Sequence, residues 1–219
     1  MKTINNYIEH TLLKPTASEK EIEKLIADAI EYKFLGICVN PNYVSFAKKL
    51  MGSSNVKLVT VVNFPLANNV IDSVLYQVEL ALKDGADEID TVVNLAELKN
   101  KNYKKVEEDI KKTKEICKDN NLKVILETDL LDKSEIIIAS KCAVEGGANF
   151  VKTSTGFVKG GVGAKAEDVK IMYETVSPYG LGVKASGGIK TYSSALELIE
   201  AGAVRLGTSS GIDIVKERS

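Results

Sequence analysis

Eight short apolar runs, each followed by a longer stretch with apolar residues every three to four positions, limit what this chain can fold into. The runs cover residues 7–11, 35–40, 56–64, 88–94, 123–128, 150–155, 182–186 and 204–208. Between them lie amphipathic segments. "SEKEIEKLIADAIEYK" opens with Ser18 and, three residues on, Glu21, the pattern of a capping box. Ile22, Leu25, Ile26, Ala29 and Ile30 then share one helical face. "VIDSVLYQVELALKDG" has the same period and ends at Gly85, a C-terminal cap. Residues 43–51, "NYKKVEEDIKKTKEICKDNN", "SEIIIASKCAVEGG", "AEDVKIMYETVSPYG" and "YSSALELIEAG" fill the other intervals, and "IDIVKER" supplies a last helix.

Strand and helix in strict alternation mean parallel strands joined by crossover helices. Eight units of about 27 residues each predict an α/β fold, a small (β/α)8 TIM barrel. The alternative is an open doubly wound sheet. The barrel is preferred because the count is eight and polar groups gather at the strand C-terminal ends. No linker or low-complexity tract interrupts the chain, so one domain over residues 1–219 is expected.

Composition narrows the function classes. A net charge of −1 gives no field for nucleic acid or anionic membrane. No run approaches the roughly 18 apolar residues of a membrane helix. Cys38, Cys117 and Cys142 are odd in number and widely spaced, which predicts no disulfide framework and a reducing, cytoplasmic setting. Lys and Arg total 29, and only Arg205 and Arg218 are arginine, so a lysine is informative here only in unusual surroundings.

Two lysines meet that condition. "ANFVKTSTGF" puts Lys152 inside a strand, and "LGVKASGGIK" does the same with Lys184. Side chains alternate along a strand. With Val151 and Thr153 facing the helices, Lys152 and Ser154 face the barrel; with Val183 and Ala185 outward, Lys184 and Ser186 face in. Neighbouring strands lie about 4.8 Å apart, so the two amines become neighbours. Desolvation and like-charge repulsion both favour a neutral amine on at least one of them. A neutral lysine is a carbonyl nucleophile that forms a Schiff base. The other reading is that both lysines reach out of the barrel mouth to solvent or phosphate.

Such chemistry needs a proton shuttle. In "GADEIDTVVN", Asp90 shares a face with Val92, and an inward acid within reach of two lysines can move protons through water. Asp87 and Glu88 are expected at the solvated start of that strand. Glycine loops follow the seventh and eighth strands: Gly187 and Gly188 in "SGGIKTYSSALELIEAG", then Gly207, Ser209 and Ser210 in "RLGTSSGIDIV". Glycine admits an oxyanion to the backbone and a helix N-terminus offers free N–H groups, so both loops predict a phosphate cradle. A third glycine-rich loop, 156–165, starting at Gly156 and carrying Lys159, is expected to close over a ligand.

"EHTLLKP", "VNFPLA", "GADEID", "FVKTSTGF", "VKASGGIKT" and "LGTSS", in order from residue 9 to residue 210, resemble the deoxyribose-phosphate aldolase family. The resemblance implies metal-free, cofactor-free class I cleavage of 2-deoxy-D-ribose 5-phosphate to D-glyceraldehyde 3-phosphate and acetaldehyde. The implied partners are thus a phosphosugar and aldehydes. It also implies Lys152 as Schiff-base lysine, Lys184 as the second lysine that perturbs it, and Asp90 as the acid that relays protons with a water. Gly187, Gly188, Gly207 and Ser209 are implied to hold phosphate. A homo-oligomer, dimer or tetramer, is expected. Other readings are a transaldolase-like class I aldolase or a non-catalytic phosphosugar-binding barrel. The sequence departs from the family at Glu9, where many members have Asp; Glu9 is kept as a proton-relay candidate. It departs again at Phe157, where some carry a phosphate-binding lysine. Cys38 is read as a core thiol, and His10 as facing away from Glu9.

Overall fold

The computed structural model describes residues 3–217, and Arg218 of the expected last helix lies outside them. Eight parallel strands close into one barrel in chain order. They are β1 (Ile8–Leu12), β2 (Gly36–Val39), β3 (Lys57–Val62), β4 (Glu88–Val92), β5 (Asn121–Ile125), β6 (Phe150–Lys152), β7 (Gly182–Ser186) and β8 (Arg205–Thr208). Around them run α1 (Glu19–Glu31), α2 (Val44–Met51), α3 (Ile71–Lys83), α4 (Leu95–Lys99), α5 (Tyr103–Cys117), α6 (Lys133–Glu145), α7 (Ala166–Val176), α8 (Tyr192–Glu200) and α9 (Gly211–Glu217). The expected TIM barrel is the observed fold.

Helix starts follow local chemistry. Glu21 accepts a hydrogen bond from Ser18 N at 3.0 Å, closing the capping box that opens α1. A second box, Asp132 with Glu135, opens α6. Helix α4 is not among the expected elements; Asn94 caps it, accepting from Glu97 N at 3.2 Å. Strand β6 is shorter than expected. After Lys152, side chains join the last backbone bonds: Thr153 Oγ1 donates to Ser186 O at 2.9 Å, and Glu127 accepts from Thr155 N at 2.9 Å.

Most of the core lies between sheet and helices, where Val151, Val183, Ala185, Ile89 and Leu206 pack. Inside the barrel the apolar part is small. One cluster joins Leu13, Cys38, Val59 and Val61; another joins Ala67, Val92 and Ile125; Phe64 touches both. Buried charge fills the rest of the interior.

Candidate active site

Register brings the two singled-out lysines together, since Lys152 and Lys184 are direct partners across β6 and β7. Their outward neighbours Val151 and Val183 are fully buried, which fixes both strand faces. Asp90 reaches them from β4. Its Oδ2 accepts from Lys152 Nζ at 2.8 Å and from Lys184 Nζ at 2.7 Å. Glu9, on β1, accepts a hydrogen bond from Lys184.

The lysines are three, not two. Lys123, Asp90's partner across β4 and β5, donates to Asp90 Oδ1 at 2.9 Å and lies 2.6 Å from Glu88 Oε2. Glu88 is therefore not at the solvated rim as expected; only 2 % of it is exposed. The reason is alternation: two residues before an inward Asp90, Glu88 must also point inward. Asp87, facing out, is the rim residue, and accepts from Lys48 at 3.0 Å. Arg205 closes the barrel floor, 3.4 Å from Glu88 and 3.8 Å from Glu9, with its guanidinium 5.3 Å above the Phe150 ring. The same apolar-flanked pattern that picks out Lys152 is present at Lys123, in "NLKVILET".

The interior is thus an ionic lattice rather than a repelling pair. Burial would raise the Asp90 carboxyl, but Lys123, Lys152 and Lys184 outweigh it and hold Asp90 well below the usual carboxylate range. Burial opposes the charge on Lys184, but Asp90 and Glu9 prevail and hold it above the ordinary lysine range. Lys184 is therefore held charged. Asp90 contributes fully to folding above the unfolded carboxylate value of about 3.9, and the contribution fades as pH falls through its lower folded value. Lys184 contributes fully below about 10.4 and loses that contribution as pH rises through its higher folded value. Lys123→Met would take the nearest cation from Glu88, leaving it the Asn121 amide at 2.9 Å and the longer contact to Arg205. The expected cost is about 3–5 kcal/mol, read as an earlier midpoint in urea unfolding.

Above the lysines opens a cavity of about 460 Å³. Lys152, Thr155, Gly156, Ser186, Gly187, Gly188, Gly207 and Ser209 line it. Gly187 and Gly188 have φ of +87° and +74°. Both precede α8, whose cap is Thr191, so they form a loop before the helix rather than its first turn. Gly207 also leaves room for Lys184. A Cβ at that position would come within 3.0 Å of Lys184 Cε, so glycine keeps the lysine's path open. Ser210 does not line the cavity, and its N–H is taken by Thr208 Oγ1 at 2.9 Å. The sequence reading does not account for the competing threonine hydroxyl.

The 156–165 loop is tied down. Gly163 N donates to Asp129 at 2.8 Å, and Ala164 N to Gly187 O at 3.0 Å. Lys159 is exposed and does not line the cavity; Lys14 and Lys190, which the sequence does not single out, do. Phe157 meets Phe64 edge-on at 5.4 Å. Cys38 is a buried thiol, pushed up to about 11 by burial. His10 faces the helix layer, 5.3 Å from the Phe34 ring, and burial lowers its pKa. Among the described residues no three His, Cys, Asp or Glu side chains come together as a metal site. No described helix is long and apolar enough to cross a membrane.

A model of the DeoC/LacD family of aldolases matches residues 7–217. The chain is 49% identical over 213 residues to a deoxyribose-phosphate aldolase of Streptococcus sanguinis, spanning 97% of this chain and 96% of that one. It is 47% identical over 215 residues to a deoxyribose-phosphate aldolase of Clostridium tetani, spanning 98% of each. Among solved structures, the aldolase QR15 superposes with a TM-score of 0.93 at 38% identity, over 100% of this chain and 96% of that one. The tetrameric deoxyribose phosphate aldolase from Aeropyrum pernix superposes with a TM-score of 0.88 at 30% identity, over 98% and 90%.

Proposed function

This chain belongs to the DeoC/LacD family of aldolases, and on that premise we propose that it cleaves 2-deoxy-D-ribose 5-phosphate reversibly through a Schiff base on Lys152. The products are D-glyceraldehyde 3-phosphate and acetaldehyde. One observation carries the assignment: Lys152 lines the cavity while sharing a single carboxylate oxygen with its register partner Lys184.

The steps follow from that arrangement. The Lys152 amine adds to the C1 aldehyde, and loss of water gives an iminium. A base takes the C3 hydroxyl proton, the C2–C3 bond breaks, and its electrons pass into the iminium as an enamine. The three-carbon aldehyde phosphate leaves. Protonation at C2 and return of the water release acetaldehyde and restore the amine. Asp90, held ionised, and Lys184, held charged, are the groups that pass protons, with a water linking the carboxylate to the C3 hydroxyl. Glu9 keeps Lys184 aimed at Asp90.

Phosphate is assigned to the far side of the cavity, against the backbone of Gly187, Gly188 and Ser209, with Gly156 across from them. The positive φ of both loop glycines supports this reading, since it turns successive N–H groups toward one concavity. Lys190 and Lys14 add charge at the rim. The test is release of acetaldehyde from 2-deoxyribose 5-phosphate, with a longer ketose phosphate as the contrast. Ser209→Asp should raise KM for the phosphosugar at least about tenfold, or about 1.4 kcal/mol. Reductive trapping of acetaldehyde, which has no phosphate, should stay at the wild-type level. An unchanged KM moves the phosphate elsewhere.

The same reading makes the protein a cytosolic homo-oligomer, dimer or tetramer. Three free, buried cysteines support the reducing compartment, and the tetrameric Aeropyrum pernix relative supports assembly. Light scattering on the purified protein decides the assembly state.

A further inference from the structure

The turn after β5 takes no part in the reaction, yet it holds the loop that borders the cavity. Backbone bonds pin the turn to the end of β6: Leu126 N donates to Lys152 O at 2.8 Å and Thr128 N to Thr153 O at 3.0 Å. Between them Glu127 has φ of +60°, a left-handed backbone uncommon outside glycine. Its buried carboxyl group meets the start of the 156–165 loop, accepting from both the N–H and the hydroxyl of Thr155. Two residues on, Asp129 Oδ2 accepts from Gly163 N at 2.8 Å, near the end of the same loop. One turn therefore anchors the loop at both ends.

The far anchor bears on the glycine cradle. Ala164 N, next to Gly163, donates to Gly187 O at 3.0 Å. A Cβ on Gly163 would stand 2.4 Å from the Gly187 carbonyl, and one on Gly188 would stand 2.4 Å from Val162 O. The two loops thus meet backbone to backbone, with no side chain at the contact to absorb a shift. Asp129 is itself enclosed: its side chain is 8 % exposed, and a Cβ on Gly161 would come within 2.7 Å of Oδ2. Its other oxygen lies 3.5 Å from Nζ of the half-exposed Lys165. An ion pair that open to solvent contributes little, so the bond to Gly163 carries the hold.

We propose that Asp129 is a positioning residue for the phosphate end of the substrate: through Gly163 it keeps the 156–165 loop seated on Gly187 and Gly188, and so fixes the backbone that faces the phosphate. Glu127 fixes the near end of the loop, beside Gly156, which leaves the far end to Asp129. Asp129 does not line the cavity and acts through the loop alone. The proposal rests on the phosphate lying against Gly187 and Gly188.

The experiment is steady-state cleavage of 2-deoxyribose 5-phosphate, with reductive trapping of acetaldehyde as the phosphate-free readout. Asp129→Ala releases Gly163. KM should rise about tenfold while kcat stays within about twofold, the signature of binding lost equally from ground and transition states. Trapping of acetaldehyde should not change. Asp129→Asn keeps an oxygen for Gly163 N and loses only the pair with Lys165, so its KM should stay within about twofold of the wild type. An unchanged KM in folded Asp129→Ala, a loss confined to kcat, or Ala and Asn variants that behave alike overturns the proposal. If thermal melting shows Asp129→Ala unfolded, Gly163→Ala decides, because its methyl group would push the loop off the Gly187 backbone. A raised KM with trapping intact then supports the proposal, and an unchanged KM overturns it. Ser209→Asp tests the phosphate reading separately. If neither Ser209→Asp nor Asp129→Ala raises KM, the phosphate reading falls and the proposal with it. If only Ser209→Asp does, the cradle stands and the role of Asp129 alone is overturned.

Discussion

Lys152→Leu should abolish aldolase activity, by about four orders of magnitude or more, the scale reached when a covalent nucleophile is deleted. The variant should still fold. Lys152 makes one carboxylate contact, and Asp90 keeps both Lys123 and Lys184 without it. The check pairs acetaldehyde release from 2-deoxyribose 5-phosphate with a thermal melt. A variant that melts like the wild type and retains a hundredth of its activity would contradict the assignment.

Lys184→Leu should cost about 10²–10⁴-fold, the range of a lost proton-transfer group, and the loss should depend on pH. Lys184 is the charged partner that shares Asp90 with Lys152 and is aimed by Glu9. Without it Lys152 loses the neighbouring ammonium with which it shares Asp90 Oδ2. Residual activity should therefore keep rising into the alkaline range beyond the wild-type plateau. A pH profile with the wild-type shape at a lower height would show that the two lysines are not electrostatically coupled. The fold is at greater risk here than at Lys152, because Glu9 loses its nearest cation inside the barrel.

The barrel is legible in the sequence because its signals are local and repeated. Val151, Val183 and Ala185 flank their lysines with apolar side chains, and alternation alone turns Lys152 and Lys184 to one face. The same rule applied to Glu88 gives the right answer; grouping Glu88 with Asp87 at a solvated rim ignores it. Lys123 carries the same signature as the other two lysines, but its strand has no glycine-rich loop after it to suggest a site. Arg205 is harder to read. It is the first residue of β8, and its inward course depends on Glu88, Glu9 and the Phe150 ring, supplied by three other strands. Helix α4 escapes a periodicity argument because five residues carry too little of the pattern to register. At Ser210 the hydroxyl of Thr208 captures the N–H, a competition that composition alone does not rank.

The interior lattice also separates what is expected of the lysines from what is found. Two desolvated amines alone would repel. With Asp90, Glu9 and Glu88 among them, the charges are held in place. Lys152 and Lys184 can then stand side by side, because both donate to one carboxylate oxygen of Asp90.

The most direct measurement is borohydride reduction of the protein incubated with acetaldehyde, followed by peptide mass mapping. A Schiff base on Lys152 predicts one ethyl group per chain, on the peptide carrying that residue, and none in Lys152→Leu. An ethyl group on Lys184 or Lys123, or no adduct on a folded and active wild type, would contradict it.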